Sequence, residues 1–281
     1  MQIVAALDGI REIVRDVRGK GLKIGFVPTM GFLHEGHLSL TRKAKSENDF
    51  VVMSIYVNPL QFGVGEDFER YPRDLERDRE LAEGAGCDLL FTPASDDMYP
   101  PGYETYVDVG GLTRSLCGAS RPGHFRGVCT VVNKLFNLVA PHKAYFGQKD
   151  AQQAFVLKKM VRDLNMDLEL IILPTVREDD GLAKSSRNKY LSPEQRSEAV
   201  VLYKSLQAAR ELIAGGERDV SVIREKMEVL ISAAKGSLVD YLEIVDTQRL
   251  EPLREVTGEC LIAMAVKFGT TRLIDNIILE V

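Results

Sequence analysis

The sequence predicts an α/β fold, a Rossmann-like doubly wound parallel sheet followed by a smaller α+β domain. Helix-like and strand-like segments alternate over the first third of the chain. Residues 50–57 form a nearly continuous apolar run with β-branched members, which is typical of a strand buried on both faces of a parallel sheet. After residue 175 two helical segments precede three strand-like ones, a pattern that favours an antiparallel sheet.

The first domain is predicted to span residues 1–175. Pro28 is expected to end its first strand, because proline lacks the amide hydrogen that a central strand donates. The expected helices cover 3–19, 34–46, 73–84, 128–139 and 148–164. The expected strands cover 22–27, 50–57, 87–91, 104–109, 143–146 and 168–173, with a glycine-rich loop over 112–127.

The second domain is predicted to span residues 176–281. It begins with helices over 193–214 and 220–234, which the pair Gly215-Gly216 separates. Strands are then expected over 238–245, 260–268 and 273–279. A compact domain of this kind beside a nucleotide site is expected to act as a mobile lid.

Composition excludes several classes of function. The chain of 281 residues has a net charge of -5, which argues against sequence-independent binding of nucleic acid. It shows no secretory signal and no run of about 20 apolar residues, so a cytoplasmic protein that does not span a membrane is expected. Its four cysteines are widely spaced without a Cys-x-x-Cys pair, which favours free thiols in a reducing compartment.

The central motif is a strand, a glycine-bearing turn and a helix start over residues 25–37. His34 and His37 lie three residues apart, so both rings project from the first turn of the expected helix. Unpaired amides and the helix dipole attract anions there, and imidazoles donate hydrogen bonds to phosphate oxygens. The alternatives are a metal site, for which zinc normally needs a third ligand, and an ordinary helix start.

Two further segments follow predicted strands. Gln61 lies in the stretch 58–63, where it is either an ordinary loop side chain or a contact for a small polar substrate. Gly147, Lys149 and Asp150 lie at another expected helix start. They are either part of a solvated cap or contacts for a nucleotide, with Lys149 on phosphate and Asp150 on ribose hydroxyls.

A loop over 175–188 and the helix over 73–84 carry the remaining candidates. The loop is either a charged linker or a phosphate-binding lid, since Ser185, Ser186 and Arg187 supply hydroxyls and a cation. Asp78 is either a solvated helix charge or a ligand for the magnesium ion that accompanies ATP.

The string Pro28-Thr29-Met30-Gly31-Phe32-Leu33-His34-Glu35-Gly36-His37 resembles the signature of the pantoate–β-alanine ligase family. That family belongs to the nucleotidylyltransferases with a His-x-Gly-His loop, which are related to class I aminoacyl-tRNA synthetases. Other stretches resemble family motifs in the same order, namely 58–63, 71–78, 116–127, 146–153 and 185–188. The C-terminal third carries little that is distinctive.

The resemblance implies an ATP-dependent ligase that joins pantoate to β-alanine through a pantoyl adenylate and releases AMP and pyrophosphate. It implies Mg²⁺ as cofactor with ATP as co-substrate, a homodimer, and no nucleic-acid partner. Two alternatives remain open at this point. One is a nucleotidylyltransferase acting on another small acceptor, and the other is a non-catalytic binding module.

The resemblance also implies the roles of individual residues. Those implied in catalysis are His34, His37 and Lys149. Those implied in ATP binding are Pro28, Thr29, Met30, His34, His37, Gly147, Lys149, Asp150, Val176, Lys184, Ser185, Ser186 and Arg187. Those implied in pantoate binding are Asn58, Gln61, Tyr71 and Gln153, with Asp78 as the metal ligand and Arg121 and His124 shaping the pocket.

Overall fold

The computed structural model describes all 281 residues and divides them into two compact units. The first unit comprises Met1–Val109, Arg121–Gln148 and Gln153–Pro174. The second comprises Gly110–Ser120, Lys149–Gln152 and Thr175–Val281. Besides the residues from Thr175 onward, the second unit therefore includes two short earlier segments.

The chain forms nine strands and ten α-helices. The strands are β1 Gln2–Val4, β2 Ile24–Thr29, β3 Phe50–Ile55, β4 Leu89–Phe91, β5 Lys143–Gly147, β6 Glu169–Leu173, β7 Ser237–Asp246, β8 Glu259–Phe268 and β9 Thr271–Glu280. The helices are α1 Leu7–Gly19, α2 Glu35–Glu47, α3 Leu75–Gly84, α4 Ser95–Met98, α5 Leu116–Ser120, α6 His124–Val139, α7 Ala151–Asp163, α8 Pro193–Glu198, α9 Val201–Ala214 and α10 Val220–Ser232. Short 3₁₀ helices cover Pro59–Gln61, Gln148–Asp150 and Ser186–Tyr190.

The first unit is built on a six-stranded sheet in the order β1-β4-β3-β2-β5-β6, and every pair in it is parallel. This confirms the predicted doubly wound sheet. The chain extends from β2 through β3 and β4 towards one edge and resumes at β5 on the other side of β2. Because the winding reverses between β2 and β5, their carboxyl ends flank the position where such sheets bind ligands.

Apolar side chains on both faces hold this sheet. Phe26, Val27 and Met53 are fully buried, as expected for central parallel strands covered by helices. Helix α1 buries Ile10, Val14 and Val17 at helical spacing, and α6 buries most of its length.

Two predictions about the first strands are wrong. The N-terminal helix does not begin at residue 3, because Gln2–Val4 pairs with β4 as a three-residue edge strand. A strand this short shows no period that separates it from the helix that follows. Strand β2 does not stop before Pro28, which pairs in register with Ser54 of β3. The ladder with β5 ends at Phe26, so Pro28 lies where β2 has a partner on one side only and the missing amide is tolerated.

The segment 104–109 is not a strand, contrary to prediction. The amide of Val107 donates to Thr130 Oγ1 at 3.0 Å, so a side chain supplies the partner that a strand would otherwise provide. The guanidinium of Arg126 lies 4.0 Å from the centre of the Tyr106 ring. Contacts with α6 therefore hold this segment, and no partner strand does.

Two further segments differ from their predicted structure. They are 112–127, predicted as a loop, and 193–214, predicted as one helix. The first contains α5 and the start of α6, which Gly123 precedes in a left-handed conformation with φ 83°. The second divides into α8 and α9 at Ala199 and Val200.

The second unit has a three-stranded antiparallel sheet in the order β7-β8-β9, which confirms the α+β prediction. Its core joins the buried faces of α9 and α10 to β8, whose residues from Cys260 to Val266 are all buried. All four cysteines of the chain are free and buried. None of the helices combines the length and the apolar character that crossing a bilayer requires.

Candidate active site

His34 and His37 form a reciprocal cap at the start of α2. His34 is the N-cap residue, and its Nδ1 accepts the amide of Gly36 at 3.2 Å. His37 Nδ1 in turn accepts the amide of His34 at 3.3 Å, and the two ring centres lie 4.1 Å apart. A ring nitrogen that accepts carries no proton, so each neutral imidazole bears its hydrogen on Nε2. The cap therefore presets both rings as Nε2–H donors.

The glycine between the histidines is a spatial requirement. A Cβ atom at Gly36 would lie 2.9 Å from both Nδ1 and Cε1 of the His34 ring. Real Cβ atoms do not approach so closely, and the neighbouring atoms belong to a ring that the cap holds in place. The His-x-Gly-His pattern is therefore explained by the close fit of the first imidazole over the backbone of the first helical turn.

The turn before the histidines is held by Asp78. Its Oδ2 accepts the amide of Phe32 at 2.6 Å, and its Oδ1 accepts the amide of Leu33 at 2.7 Å. Phe32 has a positive φ of 49°, an unusual conformation that these bonds hold. The side chain of Asp78 is 1% exposed, and burial raises its pKa although the two amides and Arg77 oppose the rise.

This environment does not fit the expectation that Asp78 binds magnesium. Mg²⁺ needs oxygen ligands that it can reach, usually with several retained waters. Both oxygens of Asp78 already accept backbone amides, and almost none of the side chain is exposed. The alternative of a solvated helix charge is wrong for the same reason. The chain contains no group of three histidine, cysteine, aspartate or glutamate side chains arranged to hold a metal ion.

The carboxyl end of β2 is ordered by Thr29. Its Oγ1 donates to the carbonyl of Ser54 at 2.8 Å and accepts the amide of Gly31 at 3.1 Å. Gly31 has φ 80°, and a Cβ atom there would meet both Ile55 and Asp78 at about 3 Å. Pro28, Thr29 and Met30 are each half-buried along this end of the strand.

The structure brings together Met30, Asn58 and Gln61. Asn58 caps the 3₁₀ helix Pro59–Gln61, and its Nδ2 donates to Gln61 Oε1 at 3.1 Å. Gln61 Nε2 lies 3.0 Å from Met30 Sδ. Of the predicted pantoate residues, Tyr71 is buried with its ring 6.0 Å from that of Phe62, the residue after Gln61. Gln153 is half-buried on α7.

Arg121 and His124 hold the backbone of Gln61. Arg121 donates from Nη2 to the Gln61 carbonyl at 3.2 Å, and His124 Nδ1 lies 2.8 Å from the same oxygen. Arg121 also donates from Nε to Glu66 at 2.6 Å. Burial opposes ionisation of Glu66, but the hydrogen bonds and charge of Arg121 hold its pKa below the usual range.

A second set of predicted residues lies in the second unit. Lys149 and Ser185 line one small cavity, together with Asn188 and Asp275. The side chain of Lys149 is 19% exposed, and its Nζ lies 3.7 Å from Oδ2 of Asp150. The backbone carbonyl of Lys149 accepts a hydrogen bond from Asn276 Nδ2 at 2.9 Å. An ammonium group and a hydroxyl can both donate hydrogen bonds to phosphate oxygens.

The loop that carries Ser185 is anchored to the sheet of this unit. Arg177 donates to both oxygens of Asp275, at 2.7 and 2.9 Å, and Asp275 is 2% exposed. Arg177 also donates to the carbonyl of Gly181 at 3.0 Å. This pair was not predicted, although an aspartate in a strand whose neighbours are mostly apolar is a signal for a buried partner.

The remaining predicted residues occupy the ends of these elements. Ser185 caps the 3₁₀ helix that holds Ser186 and Arg187, and its Oγ accepts the Arg187 amide at 3.2 Å. Lys184 pairs with Glu178 at 2.6 Å, and its amide donates to the Val176 carbonyl at 2.9 Å. Gly147 is the last residue of β5, with open space where a side chain would be.

Comparison with known proteins identifies the family. A family model for pantoate-beta-alanine ligase matches residues 2–278. The pantothenate synthetase of Moorella thermoacetica is 60% identical over 281 residues, covering 100% of this chain and 99% of the relative. That of Acetivibrio thermocellus is 58% identical and covers 100% of both chains.

Solved structures agree with the sequence relatives. The crystal structure of pantothenate synthetase from Thermus thermophilus superposes with a TM-score of 0.94 at 50% identity, covering 99% of both chains. Pantoate-beta-alanine ligase from Francisella tularensis, complexed with beta-gamma ATP and beta-alanine, gives a TM-score of 0.82 at 35% identity, covering 99% of this chain and 97% of that one. The match along the full length, together with the capped His-x-Gly-His loop, shows that this chain belongs to the pantoate–β-alanine ligase (pantothenate synthetase) family.

Proposed function

We propose that the family's condensation of pantoate and β-alanine with ATP proceeds in this chain through a pantoyl adenylate. A carboxylate oxygen of pantoate attacks the α-phosphorus of ATP, and the bond from that phosphorus to the bridging oxygen of pyrophosphate breaks. The amine of β-alanine then attacks the activated carbonyl carbon. AMP leaves with the carboxylate oxygen, and the nitrogen loses a proton to give the amide. Activation is required because a free carboxylate has no adequate leaving group.

The observation that carries this proposal is the paired histidine cap. It presets two Nε2–H groups as donors at the N-terminus of α2, where the helix dipole also favours negative charge. Donors fixed before reaction stabilise developing charge without reorganisation. In this proposal His34 and His37 donate to phosphate oxygens as negative charge grows on the departing pyrophosphate. They act as neutral imidazoles, because a proton on Nδ1 would break the cap.

The second unit supplies a cation and hydroxyls for phosphate. We assign phosphate contacts to Lys149, Ser185, Ser186 and Arg187, supported by the shared cavity of Lys149 and Ser185. Lys184 is a weaker contributor because Glu178 already neutralises its charge. The remaining ATP contacts follow from the family resemblance, namely Pro28, Thr29, Met30, Gly147, Asp150 and Val176.

Pantoate is assigned to Gln61, Gln153 and Tyr71. Gln61 supports this best, since its Nε2 has only a thioether sulfur as acceptor, and sulfur accepts weakly. Asn58 is 1% exposed, and both hydrogens of its amide already donate to protein acceptors. We therefore propose that Asn58 supports Gln61 and does not contact pantoate itself. β-Alanine is the second substrate, as it is the compound bound with beta-gamma ATP in the Francisella relative.

We propose that magnesium enters with ATP, bound by phosphate oxygens and water. Mg²⁺ in nucleotide sites commonly relies on the phosphates for much of its coordination. We assign Asp78 no part in binding it, since the carboxylate is buried and accepts two backbone amides. No other protein ligand is assigned.

Location and assembly complete the proposal. The four free cysteines fit a reducing cytoplasm. A homodimer follows from the family resemblance, and light scattering tests it through a mass of twice 31.3 kDa.

Transfer of an isotopic label tests the adenylate step. Pantoate labelled with ¹⁸O in its carboxylate is converted with unlabelled ATP and β-alanine, and the AMP is analysed by mass spectrometry. Attack on the α-phosphorus predicts one ¹⁸O in each AMP. Unlabelled AMP with labelled phosphate or pyrophosphate contradicts the proposal, because the oxygen then went to another phosphorus.

A further inference from the structure

A chain of three side chains extends from Tyr99 to the amide of Gln61. Tyr99 Oη donates to Asn58 Oδ1 at 2.8 Å. Asn58 Nδ2 then donates to Gln61 Oε1 at 3.1 Å. Asn58 is 1% exposed and Gln61 9% exposed, so little water competes with these bonds.

The backbone fixes which way the Asn58 amide faces. Its Oδ1 accepts the amide of Leu60 at 3.4 Å, and a backbone N–H can only donate. Its Nδ2 donates to the carbonyl of Gly127 at 3.1 Å, and a carbonyl can only accept. If the amide were rotated by 180°, Nδ2 would face the N–H of Leu60 and Oδ1 would face the carbonyl of Gly127, and neither pair could form a hydrogen bond. The orientation of Asn58 is therefore unambiguous.

The orientation passes to Gln61. The second hydrogen of Asn58 Nδ2 needs an acceptor, and Gln61 Oε1 is that acceptor. Gln61 must then direct Nε2 the other way, where Met30 Sδ lies at 3.0 Å. Gln61 consequently presents N–H donors to a ligand and not its oxygen. A carboxylate or hydroxyl oxygen is the kind of group that such donors bind.

The second hydrogen bond that Asn58 Oδ1 accepts comes from the hydroxyl of Tyr99. The phenol is half-buried, with its ring 5.0 Å from that of Tyr103 and 6.3 Å from that of Tyr56. Burial raises the pKa of Tyr99, so the hydroxyl stays protonated and remains a donor. Without this donor Asn58 Oδ1 keeps only the long bond from Leu60, and the Asn58 side chain loses its outer support.

We propose that Tyr99 is a positioning residue for pantoate, which holds the Asn58 side chain in place and thereby keeps Gln61 in its donor orientation. The inference rests on the proposed contact between Gln61 and pantoate. It assigns Tyr99 no contact with either substrate. Its consequence is specific, since Tyr99 governs pantoate binding and leaves ATP binding alone.

Kinetics of Tyr99→Phe and Gln61→Ala, alone and combined, test this inference. The loss of one hydrogen bond in Tyr99→Phe should raise the KM for pantoate by roughly threefold to tenfold. The KM for ATP should not change. In the Gln61→Ala background the Tyr99 substitution should have no further effect, because residues that act through one another are not additive. Tyr103→Phe is the matched control. It removes a neighbouring hydroxyl outside the chain and should behave as wild type.

The outcomes separate the inference from the proposed function. If Gln61→Ala leaves the KM for pantoate unchanged, the proposed pantoate contact is wrong. If Gln61→Ala raises that KM but Tyr99→Phe does not, the contact stands and the positioning role is wrong. Equal effects of Tyr99→Phe in both backgrounds also overturn the inference, since they show an action independent of Gln61.

Discussion

Asp78 Oδ2 accepts the backbone amide of Phe32 at 2.6 Å, so a residue of α3 fixes the turn that precedes the two histidines. Asp78 Oδ1 accepts the next amide, from Leu33, at 2.7 Å. Arg77 reinforces the same turn by donating to the Leu33 carbonyl at 3.0 Å. Two adjacent residues of α3 thus form hydrogen bonds with two backbone amides and one backbone carbonyl of the turn. The position of the histidine cap depends on these bonds.

Asp78→Asn should destabilise the protein and lower activity. The amide keeps one oxygen, so either Phe32 or Leu33 faces an NH₂ group and loses its acceptor. An unsatisfied buried group costs about 1–3 kcal/mol, which urea unfolding would measure. Pyrophosphate release should slow because the histidine cap is displaced.

Asp74→Asn is the matched control for this substitution. Asp74 caps the same helix through a bond from the Arg77 amide, and asparagine caps as well as aspartate does. Both stability and rate should stay unchanged in this variant. If Asp78→Asn instead raises the Mg²⁺ concentration required for half-maximal rate without loss of stability, Asp78 is a metal ligand and our interpretation of it is wrong.

Gly36→Ala should impair catalysis while the fold persists. The new methyl group would lie 2.9 Å from the His34 ring, which must move and release its bond to the amide at position 36. Misplacing one donor should reduce kcat by about tenfold or more, approaching the loss for a deleted donor. Gly84→Ala is the control, because a Cβ atom at this position, the end of α3, would have no neighbouring atom within 4 Å. Unchanged kcat in Gly36→Ala would show that the cap is not needed.

Glu47 should give the protein part of its stability above pH 4.5. Hydrogen bonds from Lys43 and Tyr145, with Lys143 close by, lower its pKa from 4.5 to about 2. Because the folded pKa is depressed, the contribution is present above pH 4.5 and is lost as pH falls towards 2. These bonds join the end of α2 to β5, so they also hold the helix that carries the histidines.

Urea unfolding of wild type and Glu47→Gln tests this contribution. At pH 7 the variant should be less stable by about 1 kcal/mol, since the group is partly exposed and its ion pairs are screened. The difference should shrink as pH falls from 4.5 towards 2. A difference that stays constant with pH would contradict the assigned cause.

The elements that could be predicted from the sequence are those with a clear periodicity or a helix cap. The buried strand β3, the helix start at His34 and the antiparallel sheet of β7, β8 and β9 were all predicted, because each spans enough residues to show a period or a cap. The edge strand Gln2–Val4 was missed because three residues show none. The segment 104–109 was misassigned because its residues alternate as in a strand, whereas the amide of Val107 donates to a side chain of α6 and not to another strand.

The support of the site could not be predicted in the same way. Asp78 has the sequence context of a surface helix charge, yet its partners are amides 45 and 46 residues earlier. Tyr99 and Asn58 lie 41 residues apart, and Arg177 and Asp275 lie 98 apart. Such pairs arise from tertiary packing, which the local pattern of residues in the sequence does not reveal. The motif residues themselves could be found, because they are adjacent in sequence.

The most direct test of the account is pyrophosphate release with ATP, Mg²⁺ and pantoate but without β-alanine. We measure it in a rapid-quench experiment on the wild type, His34→Ala and His37→Ala. We expect up to one pyrophosphate per active site in the wild type, with AMP appearing only after β-alanine is added. Each variant should form pyrophosphate about 10²–10³-fold more slowly. A wild type that releases no pyrophosphate until β-alanine is present, or variants as fast as wild type, would contradict the account.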